Sequence, residues 1–186
     1  AQDKDVLLIH AAGNDGENLT LTNNYPNDHF EKKGKPGKKS ATNWVEVGAL
    51  NADLGENMPA SFSNYNQELV DVFAPGGEIY ATTPENTYEI QQGTSMAAPM
   101  VAGVAAILRS YFPDLTADQV KEVLIASSVK QNRKVIKPGT EDEKVDFSTL
   151  SKSGGIVNVE KAVELATKTV GKKKGVQRIL VTGDLA

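Results

Sequence analysis

The chain has 186 residues and a mass of 19.9 kDa, enough for one domain, or part of a larger one, with a real core. Hydrophobic residues make up 39% and charged residues 24%, which argues against wholesale disorder, and a net charge of −4 argues against a dominant nucleic-acid role, because phosphate binding needs a basic face. With no Cys and only two His, His10 and His29, the chain excludes a disulfide scaffold, a thiolate or multi-histidine metal site and a cysteine nucleophile.

The chain opens Ala1-Gln2-Asp3-Lys4 with no signal-like region, and reads as a piece of something longer whose targeting segment lies upstream. No apolar run approaches the ~20 residues of a membrane span. Val6–Ile9 is a short apolar run closed by Gly13-Asn14-Asp15-Gly16, which predicts a strand buried on both faces of a parallel sheet. The stretch from Asn27 to Asn43, with the Lys-rich run Lys32–Lys39, predicts a surface loop. Trp44–Leu50 and Leu69–Ala74 read as further strands, the latter ended by Pro75-Gly76-Gly77, and Glu78–Thr83 as a short extended piece.

The hydrophobic period then changes. Met96–Tyr111 is apolar nearly all round, which predicts a helix buried on every face, and Phe112-Pro113 stops it. Thr116-Ala117-Asp118-Gln119 is a capping box for a helix from Ala117 to about Ser127. Val129–Ser153 is polar and predicts an excursion over the surface. Asn158 caps a helix over Val159–Lys168, ended by Gly171, and Ile179–Thr182 is a candidate last strand or ordered tail. Strands first, then a buried helix, predict α/β layering with a parallel sheet.

Two segments carry chemistry. Gly93-Thr94-Ser95-Met96-Ala97-Ala98-Pro99 joins an extended stretch to the buried helix. Ser95 then sits at a helix N-terminus, where free N–H groups and the helix dipole favour negative charge. Read alone, Thr94 or Ser95 is a helix cap. Two details weigh against that: Pro99 deprives an early carbonyl of its partner, and Ala97, Ala98, Ala102, Gly103, Ala105 and Ala106 make the helix unusually slim. Ala11-Ala12-Gly13-Asn14-Asp15-Gly16 follows a strand at the carboxyl end, where α/β enzymes place their sites. The Asn14 amide is suited to donate to an oxyanion, and the plain alternative is a turn that tolerates left-handed geometry.

Gly93–Pro99, followed by Val101-Ala102-Gly103, resembles the nucleophile motif of the subtilisin-like serine proteases, and Ala11–Asn14 resembles their oxyanion-asparagine segment. Tyr25-Pro26, Val47-Gly48-Ala49, Phe62-Ser63, Asp71-Val72, Ala74-Pro75-Gly76, Leu115-Thr116 and Gly155–Asn158 match further family segments in order. The resemblance covers most of residues 5 to 170, so 1–170 is read as the C-terminal part of a subtilisin-like catalytic domain and 171–186 as a tail outside it.

The resemblance implies that Ser95 is the acylating nucleophile, that Asn14 and the Ser95 N–H form the oxyanion hole, and that Thr94 supports it. It implies that Ala11, Ala12 and Gly13 form a wall of the pocket for the residue before the scissile bond, with Asn24 near its floor. Gly93 would let the substrate backbone come close. Met96 would flank the nucleophile, open to oxidation, and the Tyr25–Pro26 bond would be cis. No cofactor is implied for this chain. The resemblance allows calcium only in the longer parent, with Asp71 matching a position near one weak site, although on its own Asp71 reads as a surface or capping group.

The family's D-[ST]-G and H-G-T-H segments do not occur. His10 sits in another context, on a strand, and His29 is expected to face solvent. A serine hydroxyl without a positioned base is a weak nucleophile, so the chain alone is expected to be inactive toward peptide or protein substrates. Its partner would be the upstream half of the same domain. Without that half an open strand edge and an uncovered helix flank predict self-association or a rearranged N-terminal part. Family resemblance implies a secreted or periplasmic protein. The rival reading is a non-catalytic relative used for binding or scaffolding.

Overall fold

The computed structural model describes residues 1–32 and 35–173. The candidate strand at Ile179–Thr182 lies outside them. The strands are β1 (Leu8–Ala11), β2 (His29–Lys32), β3 (Lys35–Ser40), β4 (Trp44–Leu50), β5 (Val72–Pro75), β6 (Ile79–Thr83), β7 (Thr87–Gln91), β8 (Val129–Lys130), β9 (Lys134–Ile136), β10 (Lys144–Asp146) and β11 (Gly155–Ile156). The helices are α1 (Thr94–Tyr111), α2 (Ala117–Ala126) and α3 (Val159–Lys168).

A five-stranded sheet in the order β1-β4-β5-β11-β8 forms the centre. All neighbours are parallel except β11 and β8. Alternation along β4 divides the interior. Val45, Val47 and Ala49 face α1 together with Val72, Ala74, Ala97, Val101 and Leu108, while α2 and α3 add Val120, Val123, Leu124, Ala162 and Ala166. On the other face Leu50 and Phe73 pack with Ala12, Leu19, Met58, Val70, Val135, Phe147 and Leu150.

The two short helices begin as their sequences predict. Thr116 accepts from Gln119 N–H while Gln119 reaches back to the Thr116 N–H, and Asn158 accepts from Lys161 N–H.

Several expectations are corrected. The first strand is Leu8–Ala11 and only half-buried, because it is the sheet edge and pairs with β4 alone among the described strands. The Asn27–Asn43 stretch contains the antiparallel hairpin β2–β3. The third strand starts later, at Val72. The Val129–Ser153 stretch is no mere excursion, since Val135, Phe147 and Leu150 complete the second core.

Helix α1 is buried on one face, not all round. Ala97, Val101, Ala105 and Leu108 are covered, whereas Met100, Ile107 and Tyr111 are exposed. The sheet lies on one side of the helix, and no described element covers the other. Val6, Leu7, Ile9, Ala102 and Ala106 line an open apolar groove between the edge strand and this bare flank. No described helix is long and apolar enough to cross a membrane.

Asp5 ties the N-terminal segment to the helices. Its Oδ1 accepts from Ala117 N–H at 2.6 Å, and Oδ2 lies 3.1 Å from both Arg109 Nη2 and Lys173 Nζ. Burial, the largest single influence, pushes the carboxyl up, but the Ala117 N–H, Lys173 and Arg109 together hold it below its ordinary value. Such a group stabilises the fold above its ordinary value, and the contribution is lost as pH falls through the lowered one. Asp5→Asn is therefore expected to cost roughly 1 kcal/mol at pH 7, a small figure because the ion pairs are partly exposed. The cost should vanish in acid below the lowered value, and urea unfolding midpoints at pH 7 and in acid check it. A deficit equal at both pH values would show that the ionised carboxylate is not responsible.

Candidate active site

The carboxyl end of β1 and the start of α1 meet. The residue before the helix is Gly93, which is buried and carries no capping side chain, with φ 149°. A Cβ there would lie 3.3 Å from Asn14 Nδ2, so glycine meets both the backbone geometry and the close approach. The plain alternative, in which Thr94 or Ser95 only caps the helix, does not hold, because Thr94 is already helical and its hydroxyl donates to Asn14.

Thr94 N–H and Thr94 Oγ1 both donate to Asn14 Oδ1 at 2.9 Å, and Gly13 N–H donates to Thr94 Oγ1 at 3.1 Å. A backbone N–H can only donate, so the atom facing it must be the carboxamide oxygen, and this fixes the amide's orientation. Asn14 Nδ2 then points away from Thr94, with no acceptor among the described residues. Ser95 is exposed at the second position of the 18-residue helix. Among the described residues neither its Oγ nor its N–H has a hydrogen-bond partner. Pro99 has no N–H to offer the Ser95 carbonyl. The result is a free hydroxyl, a free backbone donor and an oriented carboxamide at the positive end of a helix dipole.

Asn64 organises the turn that carries Asn14. It is buried, its Oδ1 accepts from Asp15 N–H and Glu17 N–H at 3.0 Å, and its Nδ2 donates to Ala12 O and Asp15 Oδ2. Gly13, at φ +100°, leaves room for this side chain, since a Cβ there would lie 2.4 Å from Asn64 Nδ2. No local sequence signal marks Asn64, because its partners are about 50 positions away.

The remaining candidates are placed as follows. Ala11 and Gly13 are half-buried beside the turn. The Ala12 side chain is fully buried in the second core. Asn24 stands outside the Asn14–Thr94 hydrogen-bonded group, and its amide donates to Glu46 Oε1 at 3.2 Å. The same carboxylate receives Trp44 Nε1–H at 2.7 Å and lies 2.8 Å from His10 Nδ1. His10 thus belongs to a strand-borne cluster with Trp44, at 4.9 Å between ring centroids. His29, expected to face solvent, is only 19% exposed and its Nδ1 lies 2.7 Å from Asp28 Oδ1. The Tyr25–Pro26 bond is cis.

Asp71 is not a surface group. It is 3% exposed, accepts from Glu46 N–H at 2.9 Å and lies 3.0 Å from Lys121 Nζ, which also donates to the Trp44 carbonyl. A resident ammonium on the carboxylate does not fit a calcium ion there. Among the described residues no cluster of three or more His, Cys, Asp or Glu is placed to hold a metal.

A sequence model of the Subtilase family matches residues 1–168. The central parallel layer and this match place the chain in the subtilase family. It is 37% identical over 123 residues to subtilisin DY of Bacillus licheniformis, covering 66% of this chain and 39% of that protein. It is 31% identical over 177 residues to subtilisin-like protease 3 of Plasmodium falciparum, covering 93% of this chain and 21% of that protein. Among solved structures, the prenylagaramide maturation protease PagA superposes with a TM-score of 0.62 at 29% identity, covering 88% of this chain and 51% of that one. The A-subunit of the AB5 toxin from E. coli shares the fold, with a TM-score of 0.66 at 24% identity, covering 89% of this chain and 52% of that one. The chain therefore spans about half the length of these structures and less of the curated relatives.

Proposed function

We propose that this chain is the nucleophile-bearing, C-terminal part of a subtilisin-like serine endopeptidase domain. The observation that carries the reading is the pair of Thr94 donors on Asn14 Oδ1, which leaves Asn14 Nδ2 free beside an exposed Ser95. Ser95 Oγ attacks the peptide carbonyl while a base removes its proton, and the developing oxyanion is met by Asn14 Nδ2 and Ser95 N–H. Thr94 holds the asparagine in place. Collapse of the adduct breaks the C–N bond, the amine leaves with the proton that the base had taken from Ser95, and water then hydrolyses the acyl-enzyme to release the carboxylate and restore the serine. Ala11 and Gly13 form one wall of the pocket for the residue before the scissile bond, with Ala12 turned into the core behind them rather than lining it, Asn24 lies towards its floor, and Gly93 admits the substrate backbone.

The base and its acidic partner come from an upstream half of the same catalytic domain. That half would seat on the open edge of β1 and the bare flank of α1, where Met100, Ile107 and Tyr111 are exposed. By itself the chain is inactive toward peptide bonds and self-associates through the same surfaces. Family resemblance makes the parent secreted or periplasmic.

The test combines the chain with its upstream half and treats it with a fluorescent fluorophosphonate. Covalent labelling is expected in the wild type and absent in Ser95→Ala. Labelling that persists in Ser95→Ala removes the serine from the mechanism. A parent without the missing Asp and His, and without labelling, leaves a binding or scaffolding role.

A further inference from the structure

Strands β6 and β7 form an antiparallel hairpin that grows out of the candidate site. Gly93 N–H donates to Gly76 O at 2.8 Å and closes its base one residue before Thr94. The register pairs Tyr80 with Ile90 and Thr82 with Tyr88, which puts Tyr80, Ile90 and Tyr88 on one face. The tyrosines are diagonal neighbours, stacked with ring centroids 5.6 Å apart and planes 24° apart. All three side chains lie in the open, with Tyr80 69%, Ile90 66% and Tyr88 58% exposed. The other face carries Ile79, Ala81 and Thr83, which are partly buried. A two-stranded ribbon is marginal by itself, so three large exposed apolar groups on it are not explained by its own stability.

The charge within the hairpin itself has one sign. Residues 75 to 93 hold Glu78, Glu85 and Glu89 and no Lys, Arg or His. Glu78 stands at the base of the hairpin and Glu85 in its tip, so the aromatic face is bounded by carboxylates at both ends. Aromatic faces attract ammonium and guanidinium groups, and an acidic surround adds to that attraction.

We propose that Tyr80, Tyr88 and Ile90 form a docking face for a segment of polypeptide substrate that carries Lys or Arg interleaved with apolar side chains, flanking the bond presented to Ser95. The inference rests on the peptidase reading above, which it deepens by naming a substrate class. The apolar side chains of the segment lie against Ile90 and the tyrosine rings, its cations stack on the rings, and Glu78 and Glu85 supply the opposite charge. A five-residue strand is about 17 Å long, so the face suits about five residues of extended chain.

The test uses the 186-residue chain and two labelled ten-residue peptides, one mixing Lys and Arg with Leu and Phe, the other with every cation replaced by Glu. Fluorescence anisotropy is expected to show the cationic peptide binding at least tenfold more tightly. Tyr80→Ser combined with Tyr88→Ser should weaken it at least fivefold. Glu78→Gln combined with Glu85→Gln should weaken it and flatten its salt dependence. All four positions are exposed, and an unchanged thermal midpoint verifies that the variants fold. Equal binding of the two peptides, or binding indifferent to the tyrosines, overturns the proposal. So does loss of self-association on sedimentation in the tyrosine variant with peptide binding intact, which would make the face a contact between copies. Fluorophosphonate labelling of Ser95 is read separately. A failed docking result leaves that labelling standing, and failed labelling leaves the docking measurement standing.

Discussion

Lys121→Met is expected to destabilise the chain by about 3–5 kcal/mol, the cost of stranding one member of a buried ion pair. The Lys121 side chain is 13% exposed and that of Asp71 4%, with 3.0 Å between Nζ and Oδ2. Burial is the dominant influence on Asp71 and pushes its carboxyl above the ordinary value, even though Lys121 and the Glu46 N–H pull the other way. A carboxyl raised in the fold favours folding at low pH, and that contribution is lost as pH rises through the raised value. Removing Lys121 raises the value further. The deficit of Lys121→Met should therefore be largest at neutral pH and shrink in acid. Adding Asp71→Asn, which keeps an acceptor for the Glu46 N–H, should recover most of the loss. Urea titrations of the two single variants and the double variant at pH 7 and pH 4 form the cycle. Single-variant losses below about 1 kcal/mol that add without coupling would show the pair to be independent.

Asn14→Leu should slow acylation of the assembled enzyme by about 10²–10³ while leaving KM nearly unchanged, a figure measured for this role in a subtilisin and carried over to this chain. The reason for a pure rate effect is geometric. Asn14 Oδ1 is occupied by Thr94, which leaves Nδ2 free, and in the proposed mechanism Nδ2 meets the oxyanion that develops rather than the ground-state carbonyl. Leucine fills similar volume and donates nothing. Stopped-flow burst kinetics on a peptide ester separate the acylation rate from binding. A variant that raises KM at constant kcat would make Asn14 a substrate-binding group instead. Leucine also strands the buried Thr94 N–H and hydroxyl that Asn14 Oδ1 accepts, at a cost of about 1–3 kcal/mol each, so the thermal midpoint of the variant is measured beside its kinetics and the rate is read below the onset of unfolding.

The legible parts of the fold were those governed by neighbours in sequence. The capping box at Thr116 and Gln119, the Asn158 cap and the full extent of β4 appear as read, because a cap and a buried run are local patterns. Errors fell where a pattern depends on what lies alongside. An apolar run such as Val6–Ile9 looks the same for a central strand and for an edge one, and an apolar helix such as α1 looks the same with and without a covering layer. The pattern by itself therefore predicts burial on every side, whereas the open edge and the uncovered flank follow only from the half of the family fold that the resemblance does not cover. The Lys-rich stretch reads as loop because charge masks strand alternation, although it pairs as a hairpin. At the site, the placement of Ser95 at a helix start was legible from Gly93–Pro99. The role of Asn64 was not, because its four hydrogen bonds reach back to residues 12–17.

From sequence alone came the α/β class, the positions of its helices, and two short segments whose residue types suit a nucleophile and an amide donor. Those depend on composition and on contacts within a few residues. Only the tertiary structure decided that the Asn14 carboxamide turns its oxygen to Thr94 and its nitrogen outward, that Asp71 is matched by Lys121, and that Tyr80 and Tyr88 stack in the open. Each of these pairs elements far apart in the chain or across a turn, and the direction of a hydrogen bond or the exposure of a ring is set by what the fold brings beside it.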